Sequence, residues 1–121
     1  MADSAAASDE AFVTVCALDD ILPDTGVAAL IAGRPVAIFR VGASPGDLFA
    51  LGNVDPFSKA SVLSRGIVGD VAGATVVASP IYKQHFRLAD GVCVEDASVS
   101  VPVYAVRVVD GHVAVCAAAA P

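Results

Sequence analysis

Valine constrains this chain more than any other residue: it supplies 21 of the 121 positions, in short apolar runs cut repeatedly by turn-forming pairs. Isoleucine and leucine number only five and seven. A β-branched side chain is stiff at χ1 and packs well on a pleated surface, so this excess favours strands over helices. The sequence predicts strands over residues 12–16, 27–32, 35–41, 48–51, 74–79, 86–88, 92–94, 101–109 and 112–116. Turn signals separate them at Gly33-Arg34, Ser44-Pro45-Gly46-Asp47, Asp90-Gly91 and Asp110-Gly111, and Pro80 closes the run at 74–79. Residues 18–23 read as a short helical turn, with Asp19 and Asp20 well placed near its N-terminus. Residues 52–64 are the least strand-like stretch. About nine to ten short strands, with turns every 8–12 residues or so and little helical periodicity, indicate an all-β fold, an antiparallel sandwich or barrel. Val76, Val77, Phe86, Val103 and Val106 are expected in its core.

A chain of this length forms one domain. It is expected to span residues 11–116, between a flexible acidic tail at 1–10 and a flexible tail at 117–121. The first ten residues lack the cationic and apolar regions of a signal peptide. The hydrophobic fraction is 56%, yet charges, Gly and Pro break every run well short of the roughly 20 apolar residues of a membrane helix. Seven cations against 13 anions give a net charge of −6. That balance argues against nucleic-acid binding and against a polybasic membrane contact. Cys16, Cys93 and Cys116 form no metal-binding spacing and read as free, mostly buried thiols.

Pattern alone does not reveal an activity. A Ser-His-Asp triad around His85 has no nucleophile elbow to support it, and His112, just after a turn, reads as solvent-facing. Asp19, Asp20 and Asp24 read as a solvated turn. The glycines form no phosphate-binding fingerprint.

Two segments are more specific: residues 53–68 (NVDPFSKASVLSRGIV) and 77–95 (VASPIYKQHFRLADGVCVE). Together they resemble the cluster-binding half of a Rieske-type iron–sulfur domain, in which one loop carries Cys-Pro-His and the other Cys-Pro-x-His. The resemblance places the first motif on Asp55-Pro56-Phe57 and the second on Ser79-Pro80-Ile81-Tyr82. Both prolines remain, as do the aromatic Phe86 and the turn at 88–91. Every ligand is replaced: Asp55 and Ser79 stand at the thiolate positions, Phe57 and Tyr82 at the imidazole positions. A Rieske centre requires two thiolates and two imidazoles. The resemblance therefore implies a Rieske-like antiparallel sandwich or barrel with the cluster ligands absent and an apolar, aromatic plug in their place.

The runs at 55–70 and 78–96 are more closely similar to the small subunit of assimilatory NAD(P)H-dependent nitrite reductase, and the likeness extends from Phe12 to Val115. That resemblance implies a cytoplasmic subunit, itself non-catalytic and without cofactor or metal, of an enzyme reducing nitrite to ammonium. FAD, an iron–sulfur cluster and sirohaem would reside in its large-subunit partner, since side chains alone cannot supply such redox chemistry. A free-standing interaction module of the same fold is the alternative. The candidate partner interface comprises Phe57, Lys59, Arg65, Tyr82, Lys83 and Arg87. The segments 55–66 and 79–87 hold four of the seven cations and only one acid, Asp55.

Overall fold

The computed structural model describes residues 11–42 and 47–120. The expected N-terminal tail and most of the turn at 44–47 lie outside the described residues. Nine strands follow in order: β1 (Phe12–Ala17), β2 (Thr25–Ile31), β3 (Arg34–Val41), β4 (Asp47–Gly52), β5 (Ile67–Val71), β6 (Ala74–Ala78), β7 (His85–Arg87), β8 (Val103–Val109) and β9 (His112–Ala119). Six form an antiparallel sheet in the order β1-β9-β8-β4-β3-β2, and β5-β6-β7 form a second. The all-β expectation holds. No helix among the described residues is long and apolar enough to cross a membrane.

Three hairpins share one turn. β2–β3, β5–β6 and β8–β9 close through Ala32-Gly33, Ala72-Gly73 and Asp110-Gly111, with φ of 51° and 79°, 50° and 85°, and 51° and 76°. Positive φ at both central residues gives the twist that matches paired strands, and glycine at the second position takes it without strain. The first of these turns therefore sits one residue before the expected Gly33-Arg34. Asp90-Gly91 instead closes a wider loop: residues 92–94 make isolated bridges, Phe86 with Cys93 and Val92 with Ser100, rather than a strand. The helical turn at 18–23 is a single 3-10 turn, Leu18–Asp20. Buried Arg40 pins it by donating to the Ile21 carbonyl at 3.0 Å.

Two cores result, and β3 is the wall between them. Its side chains alternate with period two. Val36 and Ile38 join Ile21, Ile31, Ala50, Val113 and Val115 on one side. Ala37 and Phe39 join Leu51, Leu63, Val77, Phe86 and Leu88 on the other. Each fully buried Phe or Ile stabilises the fold by about 1.5–3 kcal/mol. Val76, Val77 and Phe86 are buried as expected, whereas Val103 and Val106 are only partly so. Only Ala50 and Leu51 of β4 pair with β8, and Val103 and Val106 line the apolar groove where the two strands part.

The C-terminal end also departs from expectation. Residues 117–119, expected within a flexible tail, continue β9, where Ala119 pairs with Tyr104 and the Ala120 amide donates to the Val103 carbonyl at 2.8 Å. Small apolar side chains let the ladder run on and satisfy its backbone groups. None of the three cysteines forms a disulfide: Cys93 and Cys116 are buried and Cys16 is half-buried.

Candidate functional site

The two loops singled out in the sequence meet in space and repeat one another. In each, a polar residue precedes proline, whose fixed φ suits the first corner of a turn. The Asp55 and Ser79 amides donate to the carbonyls five residues on, Ala60 at 2.9 Å and Gln84 at 2.8 Å. Their carbonyls accept from the amides four residues on, Lys59 at 2.7 Å and Lys83 at 3.1 Å. Their side-chain oxygens accept from the amides two residues on, Phe57 at 2.8 Å and Ile81 at 3.3 Å. Lys59 and Lys83 close the loops with φ of 66° and 67°. Asn53 anchors the first loop, accepting from the Ser64 amide at 2.7 Å and donating to Ser61 Oγ at 2.8 Å.

The loops are joined at their equivalent first residues. Ser79 Oγ donates to Asp55 Oδ2 at 2.5 Å, and neither residue has any solvent exposure. Burial pushes the Asp55 carboxyl up, but the Ser79 hydroxyl and the Phe57 and Ser58 amides outweigh it and hold the group below its ordinary range. The hydroxyl both donates to Asp55 and accepts from the Ile81 amide, so its bonding capacity is used in both directions.

The aromatic plug forms by halves. Phe57 is half-buried against the core, its ring centroid 6.2 Å from that of Phe86 at 45°. Tyr82 turns outward instead, at 59% exposure. What fills the space between the thiolate positions is a polar contact, because a carboxylate so buried requires donors.

Of the expected interface residues, Lys59, Arg65, Tyr82 and Lys83 are exposed on these two loops. Arg87 lies on β7, and its guanidinium is occupied by Asp90, with Nε–Oδ1 at 3.0 Å and Nη2–Oδ2 at 2.6 Å. Sequence reasoning missed Ile81, 47% exposed beside Tyr82, and no local signal marks it: Phe57 follows Pro56 as Ile81 follows Pro80, yet it turns inward.

His85 makes no triad. Its Nδ1 lies 2.6 Å from Glu95 Oε2, and Ser79 Oγ is engaged by Asp55. Burial pushes the Glu95 carboxyl up, but the contacts from the His85 amide and ring outweigh it and hold the group low. Burial pushes the Cys93 thiol up, so it stays protonated and unreactive near neutral pH. His112 is exposed, as expected, its Nδ1 lying 3.0 Å from the Asp110 carbonyl oxygen.

A two-iron Rieske centre needs two thiolates on one iron and two imidazoles on the other. A carboxylate already bonded to a serine hydroxyl, a phenyl ring packed into the core and an outward phenol do not fit that group. Among the described residues, no cluster of three His, Cys, Asp or Glu could hold a metal ion.

Comparison with known proteins agrees with the fold. The Rieske-like [2Fe-2S] domain family matches residues 11–116. The Nitrite reductase (NADH) small subunit of Salmonella typhimurium is 54% identical over 99 residues, covering 82% of this chain and 91% of that protein. The solution structure of the Escherichia coli protein NirD superposes with a TM-score of 0.80 at 50% identity, covering 86% of this chain and 94% of the other. The Nitrite reductase [NAD(P)H] large subunit of Klebsiella oxytoca contains a segment 41% identical over 99 residues, covering 82% of this chain but 10% of that longer protein. By sequence and by fold, the chain belongs to the Rieske-like domain family, among its nitrite reductase small subunits.

Proposed function

We propose that this chain is the small subunit of a cytoplasmic NAD(P)H-dependent nitrite reductase and works without a cofactor of its own. One observation carries the reading. A chain 54% identical to an NADH nitrite reductase small subunit joins its two thiolate positions by the Asp55–Ser79 hydrogen bond. Electron transfer to nitrite would then belong to the large subunit, whose FAD, iron–sulfur cluster and sirohaem supply what side chains cannot. This chain's contribution is a rigid docking surface. Phe57, Lys59, Arg65, Tyr82, Lys83 and Arg87 are the proposed contacts, with Arg87 acting through its Asp90-paired, half-buried side chain. The Klebsiella relative supports the partnership, since its large subunit includes a matching segment within one polypeptide.

Affinity-tagged chain expressed in nitrate-grown cells should retain a sirohaem-containing nitrite reductase large subunit through purification. Recovery without any such partner would favour a free-standing interaction module.

A further inference from the structure

We infer that Lys59 and Lys83 form a paired clamp for carboxylates on the surface of the large subunit. The inference rests on the nitrite reductase reading above and specifies the chemistry of the contact. It begins from backbone conformation. Both lysines take φ near +66°, a region that glycine occupies freely and that a residue bearing Cβ resists. Of the four other non-glycine residues with positive φ, Ala32, Ala72 and Asp110 open hairpin turns that demand it. The fourth, Asp24, uses its carboxylate to accept from the Gly42 amide at 3.0 Å. Lysine side chains do nothing comparable for their own loops. Both are exposed, and neither has an ion-pair partner among the described residues.

The local charge is uncompensated. Asp55, the one acid in the two loops, is fully buried and already accepts from Ser79, Phe57 and Ser58. A chain of net charge −6 therefore presents two ammonium groups at equivalent positions of a repeated loop, beside exposed Ile81 and Tyr82. The repeated backbone hydrogen bonds of the two loops set where each lysine leaves the surface. A partner surface offering carboxylates gains from both charges, whereas a basic surface is repelled. The large subunit is the occupant, because the matching segment of the Klebsiella relative is carried within a large subunit.

The test titrates the full chain against the purified large subunit in low salt, about 50 mM, and in high salt, about 500 mM, where exposed charges are screened. Replacing both residues, Lys59→Gly with Lys83→Gly, should weaken binding roughly tenfold at low salt and by much less at high salt. The same double variant, measured alone, should melt about 3 °C higher, because glycine relieves the positive φ. Tighter folding with looser binding is a pairing that a structural role for the lysines does not produce. Lys59→Ala with Lys83→Ala keeps the backbone constraint and should lose binding without the gain in Tm, and the double Arg variant should retain binding. A double glycine variant that binds like wild type at both salt concentrations overturns the clamp alone. Wild-type chain that fails to bind the large subunit overturns the nitrite reductase reading and the clamp with it.

Discussion

Ser79 and Asp55 stand 24 residues apart in the chain, yet Ser79 Oγ lies 2.5 Å from Asp55 Oδ2 with both residues sealed from solvent. The bond connects the first residues of two loops, each of which is also held by its own internal turns. Removing its donor leaves a buried carboxylate short of one partner. Ser79→Ala should therefore cost about 1.5–3 kcal/mol at pH 7, because hydrogen bonds to charged groups are the stronger class. Denaturant melts of the two proteins measure it, and a loss within error of zero would show that the loops are held by something else.

The same carboxylate sets an acid limb. Its donors hold the folded pKa below the unfolded value, outweighing the burial that pushes it up. The stability it contributes is thus complete above the unfolded pKa, about 3.9, and is lost as pH falls through the folded pKa. Wild type should lose stability progressively below about pH 4, and Asp55→Asn should flatten that part of the profile. Urea melts between neutral pH and pH 2.5 check the slope. Equal slopes for both proteins would assign the acid limb to other groups.

Purified protein should be colourless and free of stoichiometric iron, including after reconstitution with ferrous iron and sulfide under reducing conditions. The basis is the donor set: Asp55 bonded to Ser79, Phe57 packed against Phe86, and Tyr82 facing outward. Metal analysis with visible spectroscopy decides it, and the charge-transfer bands of a two-iron centre would refute it.

Phe86 joins the inter-sheet core to the first loop. It has no solvent exposure, sits on β7 opposite Val77 and touches the Phe57 ring. Phe86→Ala should cost about 3–5 kcal/mol. A loss below about 1 kcal/mol in equilibrium unfolding would show that the site collapses around the missing ring.

Gly91 is expected to tolerate no side chain. It holds φ at 75°, and a Cβ there would lie 2.3 Å from the Val101 carbonyl oxygen, a backbone atom that cannot rotate aside. Gly91→Ala combines strain with a clash and should destabilise the fold by at least about 2 kcal/mol. The equivalent change at Gly111, with φ of 76° but open space around the new Cβ, should cost about 1 kcal/mol. Thermal melts of the two variants would rank them, and equal costs would mean that the Val101 contact relaxes.

Much of this fold was legible because valine periodicity and glycine turns are local signals. Eight of the nine strands fall on segments that the sequence predicts. The exception, β5, carries Gly69 and Asp70 mid-strand and lies at a sheet edge with Ile67 exposed, so it has neither an apolar run nor an alternation to announce it. The predicted strand at 92–94 failed for the converse reason. Its valines are real, but Arg87 and Gly91 tie the preceding loop into a wide turn, and only isolated bridges form. At the site, the family resemblance located the ligand positions. It did not reveal that Asp55 and Ser79 bond each other, since the spacing of 24 residues carries no local pattern. Nor did composition separate the inward Phe57 from the outward Tyr82, because both are aromatic and both follow a proline.

The Asp55–Ser79 contact has a consequence for how the protein is made. A tip organised around a metal centre depends on delivered iron and sulfide, and loses its shape when oxidants or chelators strip them away. This tip is closed by a hydroxyl and a carboxylate encoded in the chain itself. On the cofactor-free reading proposed above, its shape is complete when the polypeptide folds, whatever the iron supply or oxygen exposure of the cell at that moment.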